Sequence, residues 1–230
     1  MTPLLFCTSA WASAYSELES LLDAKTPNSW KQQIVISSQK SSSSQELLLY
    51  GRRHDDLLYT RIELLSPAKW NGIKIAQIDS PKQSDPYLIY LPALKKVNAV
   101  KNRAQTPIGI DLGLMDLNLN SDDQVEQTKS GYHIQRSEET IEIELSEQTI
   151  QTIKRSSSSQ KTSSLITFVS WETVNGYQLP TELVLSSEDS IDDTRVIIKT
   201  LAVDIPEEDL PKECFQSSGL LHDVPCTPAP

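Results

Sequence analysis

The sequence predicts a mainly β fold of the α+β class, in which one short helix precedes an antiparallel sheet of about eleven strands. Two observations lead to this prediction. The spacing of apolar residues is near four before Pro27 and near two from Trp30 onward. Several later segments, such as 57–65 and 139–146, also alternate apolar and polar residues. Alternation gives a strand one buried and one solvated face, which is typical of antiparallel sheets.

The helix is expected over residues 15–25, because its apolar side chains recur with the spacing of one helical face. Ser16 and Glu19 are placed as a capping box at its start. Pro27 would end it, since the residue before a proline avoids the helical conformation. A short amphipathic helix should therefore precede the sheet.

The strands follow without any long helical interruption. The serine runs 41–44 and 156–159 cannot bury apolar area, so we expect them at hairpin tips. The segments 165–169 and 196–198 are apolar on both faces and should lie in the middle of the sheet. The predicted strands are 30–37, 45–53, 57–65, 72–79, 86–91, 95–101, 131–137, 139–146, 163–171, 177–187 and 193–204.

The length and net charge of the chain limit its possible domain organisation and binding partners. A chain of 230 residues can form one sizeable core, and we expect a single domain over residues 15–230. The formal net charge of −10 argues against nucleic acid or an anionic lipid surface bound by bulk electrostatics. No window approaches the ~18 consecutive apolar residues that a membrane-spanning helix needs.

Residues 1–14 resemble the second half of a secretory signal peptide. They end in two overlapping small-x-small sites, Ala10-Trp11-Ala12 and Ala12-Ser13-Ala14, although they lack a basic region and their apolar core is short. The alternative is an apolar N-terminus that frays. Phe6 directly before Cys7 fits a lipobox poorly, so we do not interpret Cys7 as a lipidation site. Export would place the protein in an oxidising compartment.

The cysteines agree with export. Removing the leader removes Cys7 and leaves Cys214 and Cys226, an even pair in a proline-rich tail. A disulfide is the simplest use of such a pair, and it would contribute roughly 3 kcal/mol in the chain-entropy model. Two cysteines cannot form a closed zinc site alone, and only His222 is near them in sequence. We expect the tail to follow the sheet edge.

Catalytic motifs are missing from the sequence. It has no Gly-x-Ser-x-Gly elbow, zinc-protease helix motif, phosphate loop or dinucleotide fingerprint, so we expect neither an enzyme nor a cofactor. His54 beside Asp55 resembles half of a catalytic triad, but both belong to a turn of ordinary polar residues. Acidic pairs at predicted turns are interpreted as solvated: Asp55-Asp56, Asp122-Asp123, Asp192-Asp193 and Glu207-Glu208. A hydrolase is the third hypothesis.

A basic cluster is the main concentration of positive charge. It comprises Lys95, Lys96, Lys101 and Arg103. Two interpretations stay open. The cluster is a solvated surface, or it contacts an acidic partner or lipid head groups.

Several motifs resemble those of the outer-membrane lipoprotein-sorting proteins, a family that includes LolA-like and RseB-like proteins. Family members carry a Gly-led strand, a Tyr-Leu-Pro strand end, a basic strand, and a Gly-x-Asp loop leading to an Asp-Leu pair. This chain differs in having Leu88-Ile89 where the family has Trp, and Gly109-Ile110-Asp111-Leu112 where it has Gly-Ser-Asp-Phe. The similar segments are Gly72–Ile75, Tyr90–Pro92, Lys95–Val97, Gly109–Asp111, Asp116-Leu117, Asn175–Thr181 and Ile205–Phe215.

The resemblance implies a curved antiparallel half-barrel covered by short helices, with acyl chains held in an apolar cavity between sheet and helices. It implies a soluble protein in the periplasm of a Gram-negative bacterium, which carries a lipid or lipidated protein between an inner-membrane transporter and an outer-membrane acceptor. The alternative is an RseB-like sensor or interaction protein with no transport role. The segment 108–117 is too apolar for an exposed loop, so we expect it to form a lid over the apolar face of the sheet; the alternative is ordinary core. The expected cavity and lid residues are Ile73, Ile75, Tyr90, Ile110, Leu112, Leu114, Met115, Ile141, Ile143, Val169, Trp171 and Leu183.

The small-x-small sites generate a test of export. We expect the mature chain to begin near Ser13 or Ala14, because small residues at these spacings are what signal peptidases cleave. The intact mass of the protein recovered from a periplasmic extract measures the cleavage point. Material that keeps Met1 and stays in the cytosol would contradict export.

Overall fold

The computed structural model describes residues 8–23, 26–38, 44–55, 57–79, 87–100, 119, 122–157, 162–187, 192–222 and 226. Within these ranges the fold is mainly antiparallel sheet with few short helices, which confirms the predicted fold class. The helices are α1 (Thr8–Asp23) and α2 (Ser217–Leu221), with 3₁₀ turns at Ala68–Trp70 and Lys212–Phe215. No helix in the described part of the chain is long and apolar enough to cross a membrane.

Thirteen strands form in the described part of the chain, against about eleven predicted. Their bounds are β1 (Ser29–Ser38), β2 (Ser44–His54), β3 (Leu57–Ser66), β4 (Lys74–Asp79), β5 (Tyr87–Leu91), β6 (Lys96–Val100), β7 (Gln124–Gln127), β8 (Gly131–Gln135), β9 (Glu139–Ser146), β10 (Thr149–Ser157), β11 (Thr162–Val174), β12 (Tyr177–Ser187) and β13 (Thr194–Val203). All predicted strands are present, with ends that differ by a few residues.

The chain forms two compact units. The helix unit contains α1 and strands β7 to β12, which are hydrogen-bonded in the order β12-β11-β10-β9-β8-β7. The tail unit contains β1 to β6 and the C-terminal residues, with the strand order β6-β5-β4-β3-β2-β1-β13. The first three residues of β13 belong to the helix unit and the rest to the tail unit.

The two strands that the sequence did not predict are short or irregular. Strand β7 has four residues with Val125 as its single apolar residue, which gives no readable alternation. Strand β10 contains a register shift between Ile150 and Thr152, so its buried residues Ile150 and Ile153 are three positions apart. A bulge breaks the period of two from which strands are recognised.

The predicted start of the first helix is wrong. Helix α1 begins at Thr8, so Ser16 and Glu19 lie inside it and form no capping box. Its buried residues Ala14 and Leu18 are four positions apart, as one helical face requires. The apolar spacing located the buried face correctly, whereas the capping pattern placed the boundary too late.

The C-terminal tail covers one face of the tail unit's sheet, rather than following only its edge. Cys214 and Cys226 form the predicted disulfide, with Cα atoms 5.8 Å apart. The Phe215 ring packs against Tyr59, with ring centroids 5.8 Å apart. Helix α2 contacts the end strands β5 and β6. The buried residues of this cluster are Tyr50, Tyr59, Leu210, Cys214, Phe215 and Cys226.

Two buried arginines bond the tail to the sheet. Arg61 is 1% exposed; its guanidinium donates to the Cys214 carbonyl at 3.0 Å, contacts Cys226 Sγ at 3.0 Å and pairs with the Glu63 carboxylate. Arg52 on β2 donates to the carbonyls of Ile205 and Pro206, each at 2.9 Å. Both ends of the tail are therefore held by charged donors on backbone carbonyls, a strong class of hydrogen bond.

We expect Arg61→Met to lower the free energy of unfolding by about 3 kcal/mol, because it leaves the buried Cys214 carbonyl without its donor and Glu63 without its partner. Urea denaturation measures the change. The matched control is Arg195→Met on β13, whose guanidinium is 58% exposed and should contribute little. Equal stability of the two variants would contradict the anchoring role of Arg61.

Candidate ligand-binding surface

One face of the helix unit's sheet is apolar across five strands. The strand registers place Ile143 opposite Tyr132 on one side and Ile153 on the other, and Phe168 opposite Leu183. The opposite face of β9 carries Glu142 and Glu144, which are exposed. The buried members of this apolar surface are Tyr132, Ile134, Ile141, Ile143, Ile153, Ile166, Phe168 and Leu183.

Helix α1 packs against the edge strand β7 within the same unit. Burial raises the pKa of Tyr15, and the carboxylates of Glu19 and Asp123 raise it further. Burial likewise raises the pKa of Tyr132, with a contribution from Glu17 on the helix. These neighbours show that the helix lies close to the β7–β8 end of the apolar surface.

Asp123 is a structural residue and not the solvated turn residue that the sequence predicted. Its carboxylate is 3% exposed and accepts two hydrogen bonds from Arg136, both of 2.9 Å. The Arg136 guanidinium also reaches Glu139 at 3.3 Å. A bidentate pair of this kind is geometrically specific, so it fixes the start of β7 beneath α1.

The tail unit has a second apolar face, opposite the face that the tail covers. Ile75 lies between Ile62 and Ile89 in the registers of the three neighbouring strands. Leu47 lies between Ile34 and Leu64 in the same way. The buried members of this face are Ile34, Leu47, Leu49, Leu64, Ile75 and Ile89.

The structure brings some predicted cavity residues together and separates others. Ile141, Ile143 and Leu183 lie on the apolar surface of the helix unit, and Ile73 and Ile75 lie on the apolar face of the tail unit. Tyr90 pairs with Lys74, one position out of phase with the Ile75–Ile89 pair, so it lies on the tail-covered face. The Lys74 Nζ atom is 5.5 Å from the Tyr90 ring centroid. The predicted lid residues Ile110, Leu112, Leu114 and Met115 lie outside the described residues.

A double register shift in β11 separates Val169 from Trp171. The shifts lie between Phe168 and Ser170 and between Ser170 and Trp171. Val169 is 53% exposed, whereas the Trp171 ring stacks on Phe168 with centroids 5.1 Å apart. Trp171 therefore adjoins the apolar surface of the helix unit and Val169 does not.

Sequence reasoning missed several members of the apolar surface. Ile153 lies on β10, the strand hidden by its bulge. Ile166 and Phe168 belong to a run that is apolar on both faces, so alternation could not assign their face. Tyr132 and Ile134 alternate with His133 on the predicted strand 131–137, and this signal could have identified them.

The apolar surface of the helix unit can bury hydrocarbon but presents few polar groups. Each buried CH₂ group contributes about 0.8 kcal/mol. Among the described residues, no group of three or more His, Cys, Asp or Glu side chains is placed to hold a metal ion. His54 Nε2 lies 2.9 Å from the Asp55 carboxylate, which is 81% exposed, as expected for a polar turn.

The chain resembles solved proteins in structure rather than in sequence. No protein-family model matches it, and no curated protein matches it in sequence. A DUF1329 family protein from Desulfovibrio piger superposes with a TM-score of 0.72 at 14% identity, over 90% of this chain and 99% of that one.

Two further structures are similar over almost their whole length. One is from Vibrio parahaemolyticus and is assigned as an outer membrane lipoprotein-sorting protein domain, with a TM-score of 0.70 at 11% identity, over 89% of this chain and 98% of that one. The other is a LolA superfamily protein from Nitrosomonas europaea, with a TM-score of 0.64 at 11% identity, over 88% of this chain and 97% of that one. None of the three is described as an enzyme. The resemblance read from the sequence motifs is therefore confirmed at the level of the fold, and this chain has a LolA-like fold.

Proposed function

We propose that this protein is a periplasmic carrier that binds a lipid or lipidated protein and passes it toward the outer membrane. One observation supports this most directly. A chain with a LolA-like fold has a contiguous apolar surface in its helix unit, which includes Ile141, Ile143, Phe168 and Leu183. Acyl chains are the ligand that such a surface suits, because it presents hydrocarbon and few polar groups.

Transfer in this proposal is passive. At about 0.8 kcal/mol for each buried CH₂ group, a few acyl chains give useful affinity without any covalent step. Release requires a movable cover, and we propose the segment 108–117, which lies outside the described residues, for this role. Its glycines Gly109 and Gly113 would allow the backbone to bend.

The periplasmic location is part of the same proposal. The leader-like residues 1–14 and the Cys214–Cys226 disulfide both suit an oxidising compartment outside the cytoplasm. The partners would be an inner-membrane transporter that loads the carrier and an outer-membrane acceptor that unloads it. In the alternative function, a protein of the same fold binds and senses a protein partner and does not transport lipid.

We expect the mature protein to bind a fluorescent fatty acid saturably at micromolar concentration, because the apolar surface provides the hydrocarbon contact. Fluorescence titration measures the binding. Native mass spectrometry of protein from its own periplasm separates the two functions. Co-purified lipid that exchanges with vesicles favours the carrier, and a stable protein partner without exchange favours the sensor.

A small-to-large substitution tests where the ligand lies. We expect Leu183→Trp to weaken binding of the fatty acid about tenfold or more, since the indole takes the space of several methylene groups. If Leu183 were ordinary packed core, the same change would instead cost about 1 to 3 kcal/mol of folding stability. Titration and urea denaturation of the same variant distinguish these results.

The matched control is Val169→Trp on the facing strand β11. Its side chain is 53% exposed, so the larger ring should alter neither binding nor stability. If Leu183→Trp bound the fatty acid as the unmodified protein does, the ligand would lie elsewhere.

A further inference from the structure

Two loops of the tail unit emerge side by side at one end of its sheet. The first joins β3 to β4 through the 3₁₀ turn Ala68–Trp70, and the second joins β5 to β6. Lys74, which begins β4, is paired with Tyr90 near the end of β5. A Cβ atom built on Gly72 would lie 3.3 Å from Pro92 Cγ, so the loops are in contact.

Large apolar side chains are exposed or half-buried at this end of the sheet. Leu94 is 61% exposed, the largest value among the exposed large apolar residues in the described ranges, and Leu65 is 36% exposed. Trp70 is half-buried, and the Lys69 Nζ atom lies 4.9 Å from its ring centroid. Single exposed leucines are common on proteins, but Leu94 and Trp70 on adjoining loops, with Leu65 near the end of β3, place three large apolar side chains at one end of the sheet.

The charge of this end is opposite to that of the whole chain. Residues 65–73 and 91–96 contain three lysines and no Asp or Glu, whereas the chain carries a net charge of −10. Two carboxylates on the strands β2 and β3 of the same unit have partners of their own. Glu46 accepts a hydrogen bond from Gln33, and Glu63 pairs with Arg61. Lys69, Lys95 and Lys96 therefore give these two segments a local positive charge.

Lys95 lies in a tight turn between β5 and β6. Its φ of 48° lies in the left-handed region, where glycine or asparagine is normally preferred. The turn is closed by hydrogen bonds from the Leu94 and Lys95 amides to the carbonyls of Leu91 and Pro92, so its geometry is fixed.

We propose that this end of the molecule, defined by Leu65, Lys69, Trp70, Leu94, Lys95 and Lys96, docks on an anionic phospholipid bilayer. The lysines would contact lipid phosphates, while Leu94 and Trp70 enter the interface between head groups and acyl chains. Tryptophan and lysine are the side chains that favour this interface, and local charge acts within a Debye length even on an acidic protein. Docking of this kind does not depend on what the apolar surface of the helix unit binds.

Flotation of the mature protein with lipid vesicles tests the proposal. We expect it to float with vesicles of phosphatidylethanolamine and phosphatidylglycerol and to remain in the bottom fraction with vesicles of pure phosphatidylcholine. High salt should release the protein from the anionic vesicles. The double variant Lys95→Glu/Lys96→Glu should lower the partition coefficient by about 25-fold or more, at about fivefold for each lysine. Leu94→Ser should lower it by about tenfold through the lost apolar contact.

Each control variant makes the same change in charge, or loses the same apolar side chain, as the variant that it is compared with. Lys129→Glu/Lys199→Glu changes two exposed lysines elsewhere, and Leu201→Ser changes a leucine that is 42% exposed. Both should float as the unmodified protein does, and all variants should keep its melting temperature. Failure to float, equal flotation on both lipids, or equal losses in the control and test variants would overturn the proposal. None of these outcomes depends on fatty-acid binding. The carrier function is tested separately, by the fluorescence titration.

Discussion

The apolar faces of an antiparallel sheet must be covered, and this chain has little helix with which to cover them. Among the described residues, α1 has sixteen residues and α2 has five. Burial of the strands therefore depends on irregular segments as much as on helices. In the tail unit the cover is the C-terminal tail, which has only short helical turns of its own and is held by its disulfide and by two arginines.

This kind of cover explains the unusual burial of charge. A tail without regular hydrogen bonding leaves carbonyl groups near the sheet that need donors. Arg52 and Arg61 supply them from β2 and β3, and Glu63 balances the charge of Arg61. Removing an arginine from water is costly, but the cost is offset where the guanidinium is hydrogen-bonded and paired. The face thus combines aromatic packing with fixed polar contacts.

Much of the fold could be predicted because alternation survives wherever strands are regular. It located the apolar residues of β3 and β9, and the cysteine count located the disulfide. It failed where geometry departs from the period of two, as at the bulge in β10. The cavity set that the resemblance implied grouped Tyr90 with Ile75, and alternation could not correct it because a short strand that is apolar on both faces gives no sign of which face is which.

Charged residues were harder to interpret than apolar ones. Nothing in the sequence distinguishes the buried Arg61 from the exposed Arg195, because their burial depends on distant chain segments that fold over one and not the other. Asp123 was taken for a solvated turn residue because its partner Arg136 is distant in sequence, at the other end of the β7–β8 hairpin. Pairing between residues far apart or across a turn is decided by tertiary structure.

The register shifts in β11 show how one irregularity shapes the apolar surface. They move Val169 out to solvent and allow the Trp171 ring to stack on Phe168. The Trp171 Nε1 atom is nevertheless buried without a hydrogen-bond partner among the described residues, and an unsatisfied donor costs about 1 to 3 kcal/mol. Phenylalanine would keep the stacking and avoid this cost. Packing alone therefore does not account for tryptophan at this position, and the orphaned donor adjoins the surface to which we assign the ligand.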